Sequence, residues 1–296
     1  CIFGLDLSVR ADYLDELRRA GVRRVVSYWG APMSSLNSGL KLLLKRLEVA
    51  LLCRAKPDHF IFESRAMQEF AVRGRGLPRA MTTVIHTGVD ARKFRPDPHS
   101  AALVYERFGI PAERKIIVYM GHLHARKGVQ VLMQAANHIC GVMRRSDIHV
   151  LFLGNRGDEV EKFRADYQGA ASHITFGGYQ TDIPALLSGC YAGCIPSTGW
   201  DSFPMSSLEM QACGLPVLVS DWQGVPETVA ADRTGVVVPV GNARLLAEAI
   251  VALVDDARRR EAMSVAARER IEAEFRTEHQ IEHLVADMRR QLDRLS

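Results

Sequence analysis

The sequence lacks several features that would assign it to whole classes of protein. No apolar run approaches the ~20 residues of a membrane span, and the first residues lack the basic and long apolar regions of a signal peptide. Of the six cysteines, only Cys190 and Cys194 lie close together, and no second Cys/His pair at metal-site spacing accompanies them. These absences argue against a membrane-spanning, secreted or zinc-binding protein. They favour a cytoplasmic protein with reduced, mostly buried thiols.

Positive charge is concentrated in the first third of the chain. Residues 1–96 contain 17 Lys and Arg against 9 Asp and Glu, whereas residues 97–296 contain 21 against 25. The first third is therefore expected to favour anionic surroundings, such as an anionic membrane surface or a phosphorylated acceptor. Nucleic acid is not an expected partner, because no recognition motif or interleaved basic and aromatic pattern accompanies the charge.

Strands and helices alternate along the chain. Strand patterns occur at 22–28, 59–62, 116–120, 148–153, 173–176, 191–195, 216–220 and 234–238, with helical patterns between them. This alternation predicts an α/β protein with mostly parallel sheets, which bind ligands at the carboxyl ends of their strands. A glycine turn and a proline-marked connector near residue 96 suggest a domain boundary. The expected parts are a partial N-terminal α/β domain (1–96), a Rossmann-like domain (97–275) and a C-terminal helix (276–296).

Residues 39–56 form a basic amphipathic helix. Its leucine face consists of Leu40, Leu43, Leu44, Leu47 and Leu51. Docking of this face on the protein's own sheet is the preferred interpretation, because the segment also makes a normal core helix. Peripheral contact with an anionic membrane, at the inner membrane face, is the alternative, since basic amphipathic helices lie on such surfaces.

The stretch 196–209 runs from an apolar strand through a loop into a helix. Pro204 fits the first helical turn, where its missing N–H costs nothing, and Ser202 is the expected N-cap. The amides of Met205 and Ser206 would then be free to bind an anion, most obviously a phosphate.

Two carboxylates accompany this helix start. Glu209 lies about one turn inside the helix and can accept two hydrogen bonds, which suits adjacent sugar hydroxyls. Asp201 lies in the loop before the helix. The stretch is therefore expected to hold a phosphorylated sugar.

A second loop follows the strand at 116–120 and contains Gly121, His122, Arg126 and Lys127 ahead of a helix. Cations beside a helix N-terminus oppose the helix dipole, so their position makes sense if an anion binds there. Lys can meet a diphosphate as a point charge and Arg as a fork. Both loops fall at carboxyl ends of strands, which favours one shared site over two solvated turns.

With these motifs in place, the sequence resembles the retaining glycosyltransferases of family 4, which have the two-domain GT-B fold. The matching segments are 58–67 (DHFIFESRAM), 87–90 (TGVD) with Phe94 and Pro96, 121–123 (GHL) with 127–128 (KG), 201–209, 214–217 (GLPV) and 226–227 (PE). Asp201 and Glu209 match the family's pattern of two acidic residues with seven residues between them. The order and spacing of the segments together are highly specific.

The resemblance implies a role for each matching residue. Lys127 would bind the donor diphosphate and Asp201 would approach the transferred sugar, which makes these two the catalytic residues. The implied donor-binding residues are Gly121, His122, Arg126, Lys127, Tyr179, Phe203, Met205, Ser206 and Glu209.

The implied activity is transfer of a hexose from a UDP-, GDP- or ADP-sugar to a glycan or lipid-linked acceptor, with retention of anomeric configuration, as in polysaccharide biosynthesis. Fixed cations and helix amides can stabilise charge that grows on the β-phosphate, so neither a metal nor another cofactor is expected. Two alternatives stay open: a nucleotide-sugar-binding module without turnover, and a nucleotide-sugar epimerase on the same fold.

The sequence departs from the family pattern at three points. His122 stands where the family usually has arginine, and Asp201 is one methylene shorter than the usual glutamate. Arg126 could compensate for the first change. Only about 96 residues precede the connector, and the family's opening glycine-rich loop is absent, so a truncated N-terminal domain is expected.

Overall fold

The computed structural model describes residues 1–9, 12–51, 53 and 56–294. The chain forms two compact α/β units, the first made of Cys1–Thr87 with Glu278–Ser296 and the second of Gly88–Thr277. The change from one unit to the other comes at Gly88, upstream of the connector near residue 96.

The first unit has a four-stranded parallel sheet in the order β1-β2-β3-β4. The strands are β1 (Ile2–Leu5), β2 (Val25–Trp29), β3 (His59–Phe62) and β4 (Thr82–Val84). The helices are α1 (Asp12–Arg19), α2 (Gly39–Leu51) and α3 (Arg65–Glu69), which continues into a π-helical turn at Phe70–Arg75. Strand β1 was not predicted, because it is a short edge strand with only alternate residues partly buried.

The second unit has a six-stranded parallel sheet in the order β10-β9-β8-β5-β6-β7. The strands are β5 (Lys115–Met120), β6 (Ile148–Leu153), β7 (Ile174–Phe176), β8 (Ala192–Ile195), β9 (Val217–Ser220) and β10 (Gly235–Val238). The helices are α4 (Leu103–Phe108), α5 (Val129–Gly141), α6 (Arg164–Tyr167), α7 (Ile183–Leu187), α8 (Met205–Ala212), α9 (Ala243–Asp255) and α10 (Ala257–Glu274). The predicted α/β class is confirmed, and each strand predicted here is present within one residue of its expected limits.

Strand β5 explains how this sheet can be buried on both faces. Ile116 and Val118 belong to one hydrophobic cluster, whereas Ile117 and Tyr119 belong to another. A continuous apolar run is what a strand covered on both faces requires. The strand order reverses between β5 and β8, and such a reversal opens a crevice at the carboxyl ends of the two strands.

The last helix, α11 (Thr277–Asp293), packs within the first unit. Its side chains Leu284 and Met288 contact a buried cluster that contains Val26, Ile61 and Ile85. The C-terminal helix is therefore part of the first unit's core rather than an appendage to the second unit.

Helix α2 contradicts the preferred interpretation of its leucine face. The five leucines are all exposed, whereas Val49 is buried. With 100° between successive residues, Val49 lies on the opposite side of the helix from the leucine face. Val49 packs with Phe60 and Phe62 of β3. The prediction that the leucines dock on the sheet was wrong, because a valine on the other side makes that contact.

Candidate functional site

Two loops meet where the strand order of the second sheet reverses. The loop after β5 contains a short 3-10 helix, Ala125–Lys127, and the loop after β8 leads to α8. The amides of Thr198 and Gly199 both donate hydrogen bonds to the Arg126 carbonyl oxygen, at 2.9 and 2.7 Å. The loops predicted to share a site are therefore joined through their backbones.

Gly128 makes this junction sterically feasible. It ends the 3-10 helix in the left-handed conformation, with φ of 69°. A Cβ atom at this position would collide with the carbonyl oxygen of Pro196, in the other loop. Glycine is thus required both for the turn and for the close approach of the two loops.

A cavity of about 450 Å³ opens beside this junction. It is lined by Met120, Gly121, His122, Lys127, Leu153, Gly154, Tyr179, Gln180, Ile183, Pro204, Met205, Ser206 and Glu209. Seven of these were predicted as donor-binding residues: Gly121, His122, Lys127, Tyr179, Met205, Ser206 and Glu209. They come from three separate segments of the chain, so the fold brings together residues that the sequence holds far apart.

Helix α8 begins at Met205, and its start differs in detail from the prediction. Pro204 is the N-cap, with an extended backbone (φ −63°, ψ 114°), and its own side chain makes no capping hydrogen bond. The Pro204 carbonyl accepts the Ser207 amide at 3.0 Å. Ser202 was therefore the wrong cap, and Pro204 lies one position before the first turn. The amides of Met205 and Ser206 are still the first two of the helix, where no intrahelical acceptor exists.

Glu209 lies one turn into α8 and lines the same cavity. Burial raises the pKa of its carboxyl group, and the positive charge of Lys93 partly opposes this rise. A half-buried carboxylate that faces a cavity can accept hydrogen bonds from two neighbouring hydroxyl groups of a ligand.

The two residues predicted as catalytic are in direct contact. Lys127 Nζ lies 2.8 Å from Asp201 Oδ2. The same oxygen accepts a 2.7 Å hydrogen bond from the Ser197 hydroxyl group. Asp201 is 5% exposed and does not line the cavity, whereas Lys127 does. Lys127 therefore joins the buried carboxylate to the cavity wall.

Two of the implied donor-binding residues lie outside the cavity lining. Arg126 donates from Nη1 to the Trp200 carbonyl oxygen at 2.9 Å, and its guanidinium lies 4.2 Å from the centre of the Trp200 ring system. Phe203 is buried, and its ring packs against that of Phe275. In this structure both side chains hold the loop between β8 and α8 in place.

The sequence interpretation missed Gly154, which follows β6 directly and lines the cavity. Its amide donates to the Gly178 carbonyl at 2.7 Å, and the Gly178 amide donates to Asn155 Oδ1 at 2.8 Å. These bonds position the loop that carries Tyr179. A glycine directly after a strand that ends at a predicted binding edge was the signal that could have identified it.

The six cysteines, all within the described part of the chain, are unpaired. Cys190 and Cys194 are buried, and burial raises the pKa of both thiols. Among the described residues, no group of three or more His, Cys, Asp or Glu side chains could hold a metal ion. Within the same residues, no helix has the length and apolar content needed to cross a membrane.

The fold and site define an α/β protein whose ligand cavity lies at the switch point of a doubly wound parallel sheet. Comparison with known sequences assigns it further. Residues 105–270 match the family described as Glycosyl transferases group 1, and the chain belongs to this family. The resemblance to glycosyltransferases found in the motifs is thereby confirmed.

Relatives with curated names agree with this assignment. A Mycobacterium tuberculosis relative, named GDP-mannose-dependent alpha-(1-6)-phosphatidylinositol monomannoside mannosyltransferase, is 34% identical over 67% of this chain and 53% of its own length. A Campylobacter jejuni relative, named N,N'-diacetylbacillosaminyl-diphospho-undecaprenol alpha-1,3-N-acetylgalactosaminyltransferase, is 25% identical over 75% of this chain and 58% of its own length. The chain thus spans little more than half the length of these curated relatives.

Among solved structures, Anabaena HepE in complex with UDP superposes with a TM-score of 0.81 at 19% identity. The match covers 93% of this chain and 74% of HepE. A likeness at this level of identity establishes the fold, and it confirms the predicted GT-B-like, Rossmann-like α/β class.

Proposed function

We propose that this protein transfers a sugar from a nucleoside-diphosphate donor to a glycan or lipid-linked acceptor, with retention of anomeric configuration. The convergence of seven predicted donor-binding residues on one cavity carries this proposal. Its supports are the family membership of residues 105–270 and the position of the cavity at the switch point of the sheet.

The donor would be held at three points in the cavity. Lys127 and the first amides of α8 would meet the diphosphate, because a cation and free helix amides both attract anions. Glu209 would accept hydrogen bonds from the ribose hydroxyl groups. Tyr179 and the neighbouring backbone would face the base. The cavity size is compatible with a ligand of this kind, since small-molecule sites usually measure roughly 300–1,000 Å³.

The Lys127–Asp201 pair suggests how the chain's own residues act during transfer. The donor diphosphate would share Lys127 with Asp201, which keeps the cation close to the bond that breaks. Preorganised cations and amides stabilise the charge that develops on the departing phosphate, so we expect no metal requirement. For retention, the acceptor would attack from the leaving-group face, and the departing phosphate would take its proton. The pair of Asp or Glu residues that glycoside hydrolases use as acid and base is then unnecessary.

The names of the relatives suggest which substrates to test first. One relative is named for GDP-mannose and a phosphatidylinositol mannoside, and another for an undecaprenol-linked acceptor. HepE was crystallised with UDP and, in another structure, with UDP-glucose. GDP-mannose and UDP-glucose are therefore the first donors, and lipid-linked sugars are the first acceptors. A cytoplasmic location, where both nucleotide sugars occur, fits the free thiols.

The test is to measure nucleotide release by the 296-residue chain from each donor, with and without acceptors. Acceptor-dependent release with an α-configured product from an α-configured donor is expected, and chelation of metals should not change the rate. Tight donor binding without release would replace the proposal by a binding module. An isomerised donor in the absence of acceptor would replace it by an epimerase.

A further inference from the structure

The leucine face of α2 is turned away from the core of the first unit. Its five side chains are 45–71% exposed: Leu40 71%, Leu43 52%, Leu44 56%, Leu47 45% and Leu51 66%. At 100° per residue they lie within an arc of about 100°. Leu36, just before the helix, is also 50% exposed. A helix stripe made only of leucine therefore faces outward, although apolar stripes normally face a core.

Cations lie on both sides of this stripe. By helical spacing, Lys41 and Lys45 fall on one side and Arg46 on the other. Glu48 is the only acidic residue of α2, and it contacts Lys45 at 2.9 Å and Arg75 at 3.0 Å. Because two cations neutralise the only carboxylate, the surface around the leucine face is positively charged.

A cavity of about 680 Å³ opens on the Arg46 side of α2. Arg46, Lys56 and Arg79 supply its cationic lining, and apolar side chains such as Leu77 supply the rest. Arg79 is also paired with Glu69. The combination of an apolar wall and cations matches a molecule with a phosphate group next to a hydrocarbon part.

We propose that α2 binds the protein to an anionic phospholipid bilayer, with the leucine face at the boundary of the acyl chains and the flanking cations on the headgroup phosphates. A helix of 13 residues is about 20 Å long, too short for a hydrocarbon core of about 30 Å, so it would lie in the plane of the interface. The positive flanks favour this partner over a second copy of the chain, because two such faces would repel each other.

The first experiment measures co-sedimentation of the 296-residue chain with vesicles of phosphatidylcholine alone and of phosphatidylcholine with phosphatidylglycerol. Binding to the anionic vesicles is expected, and added salt should weaken it. Leu43→Ser with Leu44→Ser should lower the partition at least tenfold. The matched control is Val142→Ser with Val265→Ser, which removes two exposed apolar side chains of the second unit and should leave binding unchanged.

A second pair of variants tests the charge. Replacement of Lys41 or Arg46 by Gln should lower the partition about fivefold each, since one basic residue near an anionic surface contributes about 1 kcal/mol. Circular dichroism checks that each variant is folded. Nucleotide affinity, which depends on the second unit, should stay the same in all of them, so failure of the membrane proposal and failure of the proposed activity can be distinguished.

Three results would overturn the proposal. Equal binding to neutral and anionic vesicles would remove the role of charge. Unchanged binding by the leucine variant would remove the role of α2. A dimer that the leucine variant dissociates, in a protein that binds no vesicles, would show that the face pairs two copies of the chain.

Discussion

Helices α8 and α2 differ in how far their sequence patterns predicted their surroundings. In α8, five of eight residues are buried, and the cavity-lining residues Met205, Ser206 and Glu209 lie where the motif places them. In α2, the apolar pattern is clearer, yet the five leucines face outward. Among the described residues of this helix, Val49 is the one that is buried. Periodicity shows that a helix has an apolar face, but it does not identify what that face contacts.

Substitution of Gly128 should disturb the α8 site most, because a side chain there would force the two loops apart. We expect Gly128→Ala to lower the free energy of unfolding by about 3–4 kcal/mol, because it combines left-handed strain with a collision against Pro196. Gly109→Ala is the matched control, since Gly109 has a similar φ of 61° and open space around it. Its expected cost is about 1 kcal/mol. Equal costs in urea unfolding would mean that the loop junction tolerates a side chain.

This junction also shows what the sequence could predict about the site. Gly121, Lys127 and Glu209 were correctly placed together, because each follows a strand of one parallel sheet and such strand ends share an edge. The orientations of the Phe203 and Arg126 side chains could not be predicted in this way. Whether a loop side chain points into the core or into a cavity depends on partners such as Phe275 and Trp200, and sequence spacing does not encode those contacts.

The same limit explains the misplaced features of the fold. The predicted Ser202 cap followed cap preferences, but the backbone of Pro204 already provides the helix start. The sequence predicted α11 only as a separate C-terminal helix. Its place in the first unit depends on contacts of Leu284 and Met288 with strands more than two hundred residues earlier. Long-range packing of this kind leaves no local pattern.

Lys127→Ala tests the proposed contact between Lys127 and a diphosphate in the cavity. Loss of the ammonium group should weaken binding of nucleoside diphosphates by roughly 100-fold while sparing the nucleoside, because a charge-assisted contact is lost only for the phosphates. Isothermal titration calorimetry with GDP, UDP and the nucleosides measures this. Lys115→Ala, at the opposite end of β5, is the control and should change neither affinity. Equal losses for diphosphate and nucleoside would contradict a phosphate contact.

Asp287→Asn tests the first unit separately. Asp287 is buried in α11, 3.3 Å from His59 and 2.9 Å from Arg290. Burial alone would raise its pKa, but the contacts with His59 and Arg290 outweigh this and lower the pKa to about 2. The stabilisation should be complete above pH ~4, the ordinary range of an aspartate, and should disappear as the pH falls towards 2.

At neutral pH we expect Asp287→Asn to lower the free energy of unfolding of the first unit by about 2 kcal/mol. Fluorescence of Trp29 reports this unit if Trp200 and Trp222, which lie in the second unit, are replaced by Phe. Glu282→Gln, an exposed change on the same helix, is the control. Nucleotide affinity should not change, and a matching loss of affinity would show that the two units do not respond independently.

Glu209→Gln separates binding from stability within α8 itself. Because burial raises the pKa of the Glu209 carboxyl group, the ionised form costs folding free energy at neutral pH, and this cost shrinks as the pH falls through the raised pKa. The Gln variant should therefore be at least as stable as the parent. Its affinity for nucleoside diphosphates should nevertheless fall about tenfold, since bonds from ribose hydroxyl groups to a charged acceptor become bonds to a neutral one.

The pH dependence follows from the same carboxylate. Nucleotide affinity of the parent should decrease on acidification at a higher pH than an ordinary glutamate would produce, and this step should be absent in the Gln variant. Glu106→Gln, an exposed change on α4, should keep the step. Calorimetry across the pH range and urea unfolding of each variant decide the matter. A Gln variant that binds as tightly as the parent would remove Glu209 from the ribose role, because the charged acceptor would then contribute nothing to binding.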